Sequence, residues 1–484
     1  METTLTYCAD LQGLPADASH PQLKTIHGAL TKQGDALQEV AKTFSQTTDQ
    51  DGGVAAANSP LIAAAMEHTK LASLGSLHLL AAQAEVLTPQ EVPAFIDVTL
   101  AFLEHCNWHQ VMIAPKHLGN VCEKFGQVCI SEGRASEALL PLRSAAIKMD
   151  GDRSSLTPLH PEFLQCCIAA KCYSLGARFV DDRPIFGVEP VATGLTPVHF
   201  LRHFYYGGIV YIGAKQWKDA LDSFLMLLTI PANVLSSLVI EGYKKMMLVS
   251  LIISGEVPPL PKYASNSVTR HLKSHTSDYE ALVSCFQAGD VKGLNAAVVA
   301  GSEKFSQDGN MGLVKQAVTA LTKRKITELT HTYITLPLSD ISDKVGLAHA
   351  DDAQGYILNM VEAGEICAQI AYPAGTVHFR EDTNTLSSTT MTARLEADLR
   401  STAELTERVR KLEARLIVNP VLIQKADGRR SLSARRRPGR RGRILSLVGR
   451  HWHGRLIEHD SGIRVEDSVP FVWLMAASLC EHAH

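Results

Sequence analysis

From about residue 61 to 325, helical patterns of ten to twenty residues alternate with short Gly/Pro breaks. Apolar positions recur at steps of three and four, and β-branched alternation is scarce. That pattern predicts an all-α stack of antiparallel hairpins. Residues 1–43 read as weakly organised helix. The stretch FSQTTDQDGGVAAANSP (44–60) is polar, Gly-containing and aperiodic, and reads as a linker. At about 326 the period changes. Residues 326–336 and 339–346 read as short helices broken at Pro337. Asp351 and Asp352 open another helix that ends near Gly364, with acids at its positive end. EICAQIA (365–371) and TVHFR (376–380) then alternate, so that Ile366, Ala368 and Ile370 share a face with Val377 and Phe379. This predicts a hairpin with one buried side. Helix, turn, helix and hairpin are the parts of a winged helix.

Internal repeats sharpen the helical part. In FYYGGIVYIGAKQWKDALDSFLMLLTIP (204–231), Phe204, Gly208, Tyr211, Ala220 and Phe224 fall at tetratricopeptide-type offsets. Gly208 and Ala220 are small where two helices would cross; Phe204, Tyr211 and Phe224 would fill the space beside them. CEKFGQVCISEGRASEALLPLRSA (122–145) repeats the logic with Gly126, Cys129, Ala138, Leu142 and Ala145. A looser copy follows with Tyr279, Leu282, Phe286, Asp290 and Leu294. An ordinary helical bundle would bury the same residues. In either case no single hairpin covers its own apolar face, so the copies stack. A stacked solenoid offers a long surface, which suits binding better than catalysis.

Charge changes the reading of the winged helix. In a DNA reader the second helix enters the major groove and basic side chains clamp phosphates. Here DDAQGYILNMVEAG holds three acids and neither Lys nor Arg, and residues 326–382 carry nine acids against two bases, a balance of −7. Such a module repels the phosphate backbone that dominates DNA affinity. What remains is protein binding. Small hairpins leave strand edges with unpaired backbone groups that a neighbouring chain can satisfy. The candidate seam is therefore Ile366, Cys367, Ala368, Gln369 and Ile370 with Thr376, Val377, His378 and Phe379. A wing covered by its own C-terminal segment is the alternative. Farther on, MTARLEADLRSTAELTERVRKLEARL (391–416) places Leu405, Val409, Leu412 and Leu416 at steps of four, three and four. Glu404/Arg408 and Glu407/Lys411 stand in the helix-supporting order. An apolar stripe of this kind calls for a partner.

Composition adds limits. The 484 residues are 45% hydrophobic and 20% charged, with 47 Lys+Arg against 50 Asp+Glu, a formal net charge of −3. That argues against a protein coated in nucleic acid. None of the ten cysteines forms a Cys-x-x-Cys pair, and most lie in apolar helical runs, so they read as buried free thiols in a reducing compartment. No signal peptide is evident at the N-terminus, and the most apolar runs, MMLVSLIISG and FVWLMAASLC, are about half the ~20 residues of a membrane span. A protein of cytoplasm and nucleus is expected. Phosphate-loop, dinucleotide and His-Glu-x-x-His motifs are missing from the sequence. His451-x-His453 followed by Ser461 imitates the start of a metalloprotease motif, but Arg464 stands where an Asp ligand is needed. His271 and His275 share a spacing that suits two ligands, without a third. No cofactor, no metal site and no catalytic residue is expected, and the chain is not expected to be an enzyme.

Several stretches carry a resemblance: FYYGGIVYIGAKQW (204–217), EGYKKMMLVSLIISGEVPPLPKY (241–263), NMGLVKQAV (310–318), YILNMVEAGEICAQI (356–370) and VNPVLIQKADG (418–428). With helical repeats running into an acidic winged helix, they resemble the PCI module. Within it they are similar to the third-subunit family of the constitutive-photomorphogenesis signalosome. The resemblance implies a tetratricopeptide-like solenoid, then a small α+β winged helix, then a C-terminal helix. It implies a non-catalytic scaffold in a complex that removes a ubiquitin-like modifier from cullins, with winged helices joined edge to edge and C-terminal helices gathered in a bundle. Its partners would be other PCI subunits and, indirectly, cullin ligases. The proteasome lid or a translation initiation factor complex uses the same module. The expected organisation is an N-terminal segment and linker (1–60), N-terminal repeats (61–200), the helical part of the PCI domain (201–325), its winged helix (326–382) and a bundle helix (383–427). The tail (428–484) departs from the family: eight of residues 428–443 are Arg. It reads either as a nuclear-import or nucleic-acid patch, making the chain a winged-helix nucleic-acid binder, or as a divergent tail without a role.

Overall fold

The computed structural model describes Thr6 and residues 20–50, 60–69, 72–150, 155–185, 187–230, 236–260, 264, 266–347, 349–372, 375–380 and 389–418. Among the sequence readings, the tail 428–484, the stretch 419–427, Cys8, Cys480, His451 and His453 lie outside these residues. The described chain forms two compact units, one ending at Lys325 and one starting at Ile326.

The first unit is helical. It opens with α1 (His20–Lys32), α2 (Gly34–Gln50), α3 (Pro60–His68), α4 (Ser73–Glu85), α5 (Val92–His105) and α6 (Trp108–Val111). The hairpins follow: α7 (Pro115–Ser131) with α8 (Ala135–Asp150), α9 (Leu159–Ala169) with α10 (Tyr173–Asp182), and, after α11 (Pro190–Thr193), α12 (Pro197–Gly213) with α13 (Trp217–Leu228). Then come α14 (Ser237–Ile253), α15 (Asn266–His275), α16 (Ser277–Gln287) with α17 (Val291–Ala300), and α18 (Ser302–Gln307) with α19 (Met311–Thr332). Helix α2 continues to Gln50, so FSQTTDQ is helical rather than linker.

Five of these pairs close on one turn. The chain takes positive φ at Gly133, Lys171, Lys215, Gly289 and Gly309. The next amide then donates to a carbonyl five residues back: Arg134 to Cys129 (2.8 Å), Cys172 to Cys167 (2.9 Å), Gln216 to Tyr211 (2.9 Å), Asp290 to Cys285 (3.2 Å) and Asn310 to Phe305 (2.8 Å). This closure satisfies carbonyls that a helix end leaves open, and it favours glycine. Lys215 holds a φ of 61° there. Lys215→Gly is expected to stabilise the chain by about 0.5–1 kcal/mol, because relief of left-handed strain outweighs the extra freedom of glycine when unfolded. Thermal unfolding of the two full chains checks this.

Within and between hairpins, small residues set the crossing distances. A Cβ on Gly208 would lie 2.6 Å from the Phe224 ring, and one on Gly126 would lie 3.5 Å from Cys166 Sγ. Ala220 and Phe224 are fully buried and Tyr211 nearly so. The Tyr211 hydroxyl donates to Asp181 (2.7 Å). Phe204 is half-buried and packs on Phe200, ring to ring at 4.7 Å. The EGYKKMM stretch lies on α14, where Lys244 Nζ donates to Glu241 (2.7 Å) and Asp308 (2.8 Å). Tyr279 OH donates to the same Asp308 (2.8 Å) and accepts from Asn310 (2.9 Å). One network thus ties α14 to α16 and to the α18–α19 turn. A single apolar core runs from Leu23 to Leu321.

Several ionisable groups are sealed inside. The Glu162 carboxyl, between α7 and α12, shares Arg202 with Glu123, and burial pushes its pKa up to about 7. His160 and His203 meet edge to face at 5.8 Å, and burial holds them down at about 4 and about 3. An unfolded histidine binds its proton near pH 6.5, so each contributes stability at neutral pH that is lost as pH falls below that value. Between pH 7.5 and 5, His203 is expected to cost about 2 kcal/mol. In His203→Phe the fall in unfolding free energy over that range is expected to be smaller by about this amount, checked by denaturant titration at both pH values. Glu162 acts with the opposite sign, because its folded form holds the proton more tightly. The described cysteines are free; Cys106, Cys122, Cys129, Cys166 and Cys167 are buried, and burial pushes the Cys106 thiol up to about 11.

The second unit begins its own core at Ile326. After β1 (Thr335–Pro337) come α20 (Leu338–Val345), α21 (Ala350–Glu362), β2 (Cys367–Ala371), β3 (Thr376–Arg380) and α22 (Thr389–Val418). Gly346 and Gly364 end α20 and α21 in the left-handed conformation. The antiparallel sheet has the order β1-β3-β2, with Val377 opposite both Leu336 and Ile370. Its inner face joins Ile341, Val345, Ala353, Ile357 and Met360 in one cluster. Residues 335–336 are therefore strand rather than helix. Pairing with β3 claims a segment that the helical period of its neighbours had masked.

Candidate interaction surfaces of the winged helix and C-terminal helix

Strand order decides which backbone is available. β3 lies between two partners, so Thr376, Val377, His378 and Phe379 are not an edge. That corrects the sequence expectation, which saw a two-stranded hairpin and therefore two open edges. Val377 and Phe379 point into the core (0% and 7% exposed), and His378 Nδ1 meets Thr335 Oγ1 at 2.9 Å. Among the described residues the open edges are the outer sides of β2 and β1. On β2, Cys367 and Gln369 are exposed, while Ala368 and Ile370 lean half-buried on the core that takes Ile366. Two exposed apolar side chains flank the edges: Ile334 before β1 (80%) and Tyr372 after β2 (78%). Sequence reasoning missed both, and the edge beside Ile334 exists only once β1 is known. The signal was the β-branched and aromatic run TYITL (332–336).

The outer face of α21 shows Asp351, Asp352, Leu358, Val361 and Glu362. Leu358 is half exposed. Lys344, one of the two bases in residues 326–382, is held away as a donor to Tyr333 OH (3.1 Å), its Nζ lying 4.9 Å from that ring. The face that would meet DNA thus offers acids and aliphatic carbon, which fits a protein partner.

Among its described side chains, helix α22 buries none of the apolar ones. Met391, Leu395, Leu399, Leu405 and Val409 are 43–64% exposed. The side chains of Leu412 and Leu416 lie outside the described ones. Met391, Leu395 and Leu399 carry the stripe upstream in steps of four; the same spacing was legible in the sequence but was counted only from Leu405. Glu407 pairs with Arg410 at 3.4 Å rather than with Lys411. A helix with a continuous apolar face in water is a helix awaiting a surface.

The candidate metal ligands do not come together in the described residues. His271 and His275 are exposed on α15, and no group of three His, Cys, Asp or Glu is placed to hold a metal. No described helix is long and apolar enough to cross a membrane.

Comparison with known proteins agrees with this layout. Residues 34–268 match the family described as COP9 signalosome complex subunit 3, N-terminal helical repeats, and residues 294–381 match the PCI domain. The chain is 32% identical over 436 residues to COP9 signalosome complex subunit 3 of Arabidopsis thaliana, spanning 89% of this chain and 94% of that protein. It is 31% identical over 344 residues to COP9 signalosome complex subunit 3 of Dictyostelium discoideum, spanning 69% of this chain and 80% of that protein. Helical repeats, a PCI domain with its small antiparallel sheet, and relatives matched along most of their length place the chain in the COP9 signalosome complex subunit 3 family.

Proposed function

We propose that this chain is a non-catalytic scaffold of a signalosome, acting in cytoplasm and nucleus. In this reading it supports removal of the ubiquitin-like modifier from cullins and so regulates cullin-RING ubiquitin ligases and ubiquitin-dependent degradation. The carrying observation is α22, whose apolar stripe is left open. A helix of about 45 Å, at 1.5 Å per residue, reaches well past a small winged helix and can join helices from sister subunits. The β2 and β1 edges would pair with neighbouring sheets, since backbone donors and acceptors at an edge are satisfied by an added strand.

The test is affinity purification of the full chain under near-native conditions, with the co-purifying proteins identified by mass spectrometry. A set of PCI subunits together with a deneddylase activity supports the proposal. Recovery with proteasome-lid or translation-initiation subunits instead would refute it.

A further inference from the structure

Three imidazoles from three helices meet at the N-terminal end of the repeats. His27 on α1 places Nδ1 3.1 Å from Nε2 of His78 on α4. The His78 ring lies 4.5 Å from that of His117 on α7, and His27 lies 5.9 Å from His117, centroid to centroid. Helix α4 is buried on nearly every side, with His78 only 4% exposed in its middle. Helices α1 and α2 pack against it. From this geometry we propose that His27, His78 and His117 form an acid-sensitive latch that holds the N-terminal pair α1–α2 on the repeat body.

The reason lies in proton counting at the 3.1 Å contact. Two neutral imidazoles can share one hydrogen there, one ring donating and the other accepting. A second proton turns the acceptor into a donor, so that two N–H groups face each other and the bond becomes a repulsion. His117, in the first turn of α7, adds a third ring close to the positive end of a helix. The neighbouring elements offer little to absorb the charge. Helix α1 carries Lys24 and Lys32 but no acid. Among the described side chains, the acids on the surrounding helices are Asp35 and Glu39 on α2, Glu67 on α3, Glu85 on α4, Asp97 and Glu104 on α5, and Glu123 on α7. His68, His105, His109, Lys42, Lys116 and Lys124 are the other groups there, among the described side chains, that are or can become cations. None of these acids raises the pKa of the three histidines: burial is the leading cause that lowers each, and for His78 and His117 the neighbouring imidazoles add to it. Glu85 is already engaged by Gln38 of α2. Protonation therefore loosens α1–α2 first and uncovers α4.

Hydrogen exchange of the full chain at pH 7.5 and 5.5, corrected for intrinsic rates, tests the latch. Protection of residues 20–50 is expected to fall at least roughly tenfold more than that of residues 197–228. His27→Gln/His117→Gln is expected to shrink that extra fall to what the lone buried His78 contributes. Should the double variant lose protection at both pH values, His117→Gln alone decides. It keeps the His27–His78 bond, and its release is expected at a lower pH than in the wild type. Residues 20–50 protected equally at both pH values would overturn the latch. So would an equal loss throughout residues 73–228, which would point to His160 and His203, or a release midpoint unchanged in His117→Gln.

Discussion

Leu405→Asp/Val409→Asp is expected to separate this chain from its complex without disturbing its own fold. Both side chains are at least half exposed, so neither substitution puts a carboxylate into the buried core of the chain. In the complex they would be core positions of a helical bundle. Each apolar side chain contributes roughly 1.5–3 kcal/mol on burial, and an unpaired carboxylate in its place adds a desolvation cost of a few kcal/mol. Affinity for the sister subunits should therefore fall by more than about a hundredfold. The measurement is co-purification of the tagged variant from cells, with its melting temperature taken in parallel. Unchanged melting with loss of partners is the expected pair of results. Unchanged melting with full assembly would remove α22 from the interface.

Gly208→Val is expected to destabilise the solenoid by about 3 kcal/mol. A Cβ here would lie 2.6 Å from the Phe224 ring, closer than packed atoms tolerate. Phe224 is fully buried, so the ring has no room to withdraw, and α12 and α13 must separate. Helix propensity works in the other direction, since valine is the better helix former by a few tenths of a kcal/mol. The net loss is therefore a packing loss. Phe224→Leu should recover part of it in the double variant, although costly alone. Chemical denaturation of the four proteins gives the coupling directly. Independent, additive losses would show that the two helices do not meet as described.

Much of this fold was legible because its packing is local. The crossing at Gly208 and Phe224 comes from small and large residues at fixed offsets within one hairpin, and Gly133 and Gly289 announce their turns. The hairpin turning at Lys171 was not legible, because lysine stands where the turn favours glycine. The third strand was also lost. Thr335–Pro337 is short, and its strand character depends on pairing with His378, more than 40 residues later. That missing strand misplaced the candidate seam: β3 passes for an edge until β1 is laid beside it. The acidity of α21 and the stripe on α22 could be read without tertiary information, since charge balance and heptad-like spacing survive any arrangement of the chain.

The central claim is that the second unit and its long helix bind proteins and not phosphates. The most direct test compares the tagged full chain with the same chain lacking residues 389–418. Size-resolved co-purification and binding to labelled duplex DNA are measured at one salt concentration. The full chain should run in a large assembly, the shortened chain outside it, and neither should shift the duplex through residues 351–380. Retention of the shortened chain in the assembly, or duplex binding lost on substituting α21, would contradict the claim.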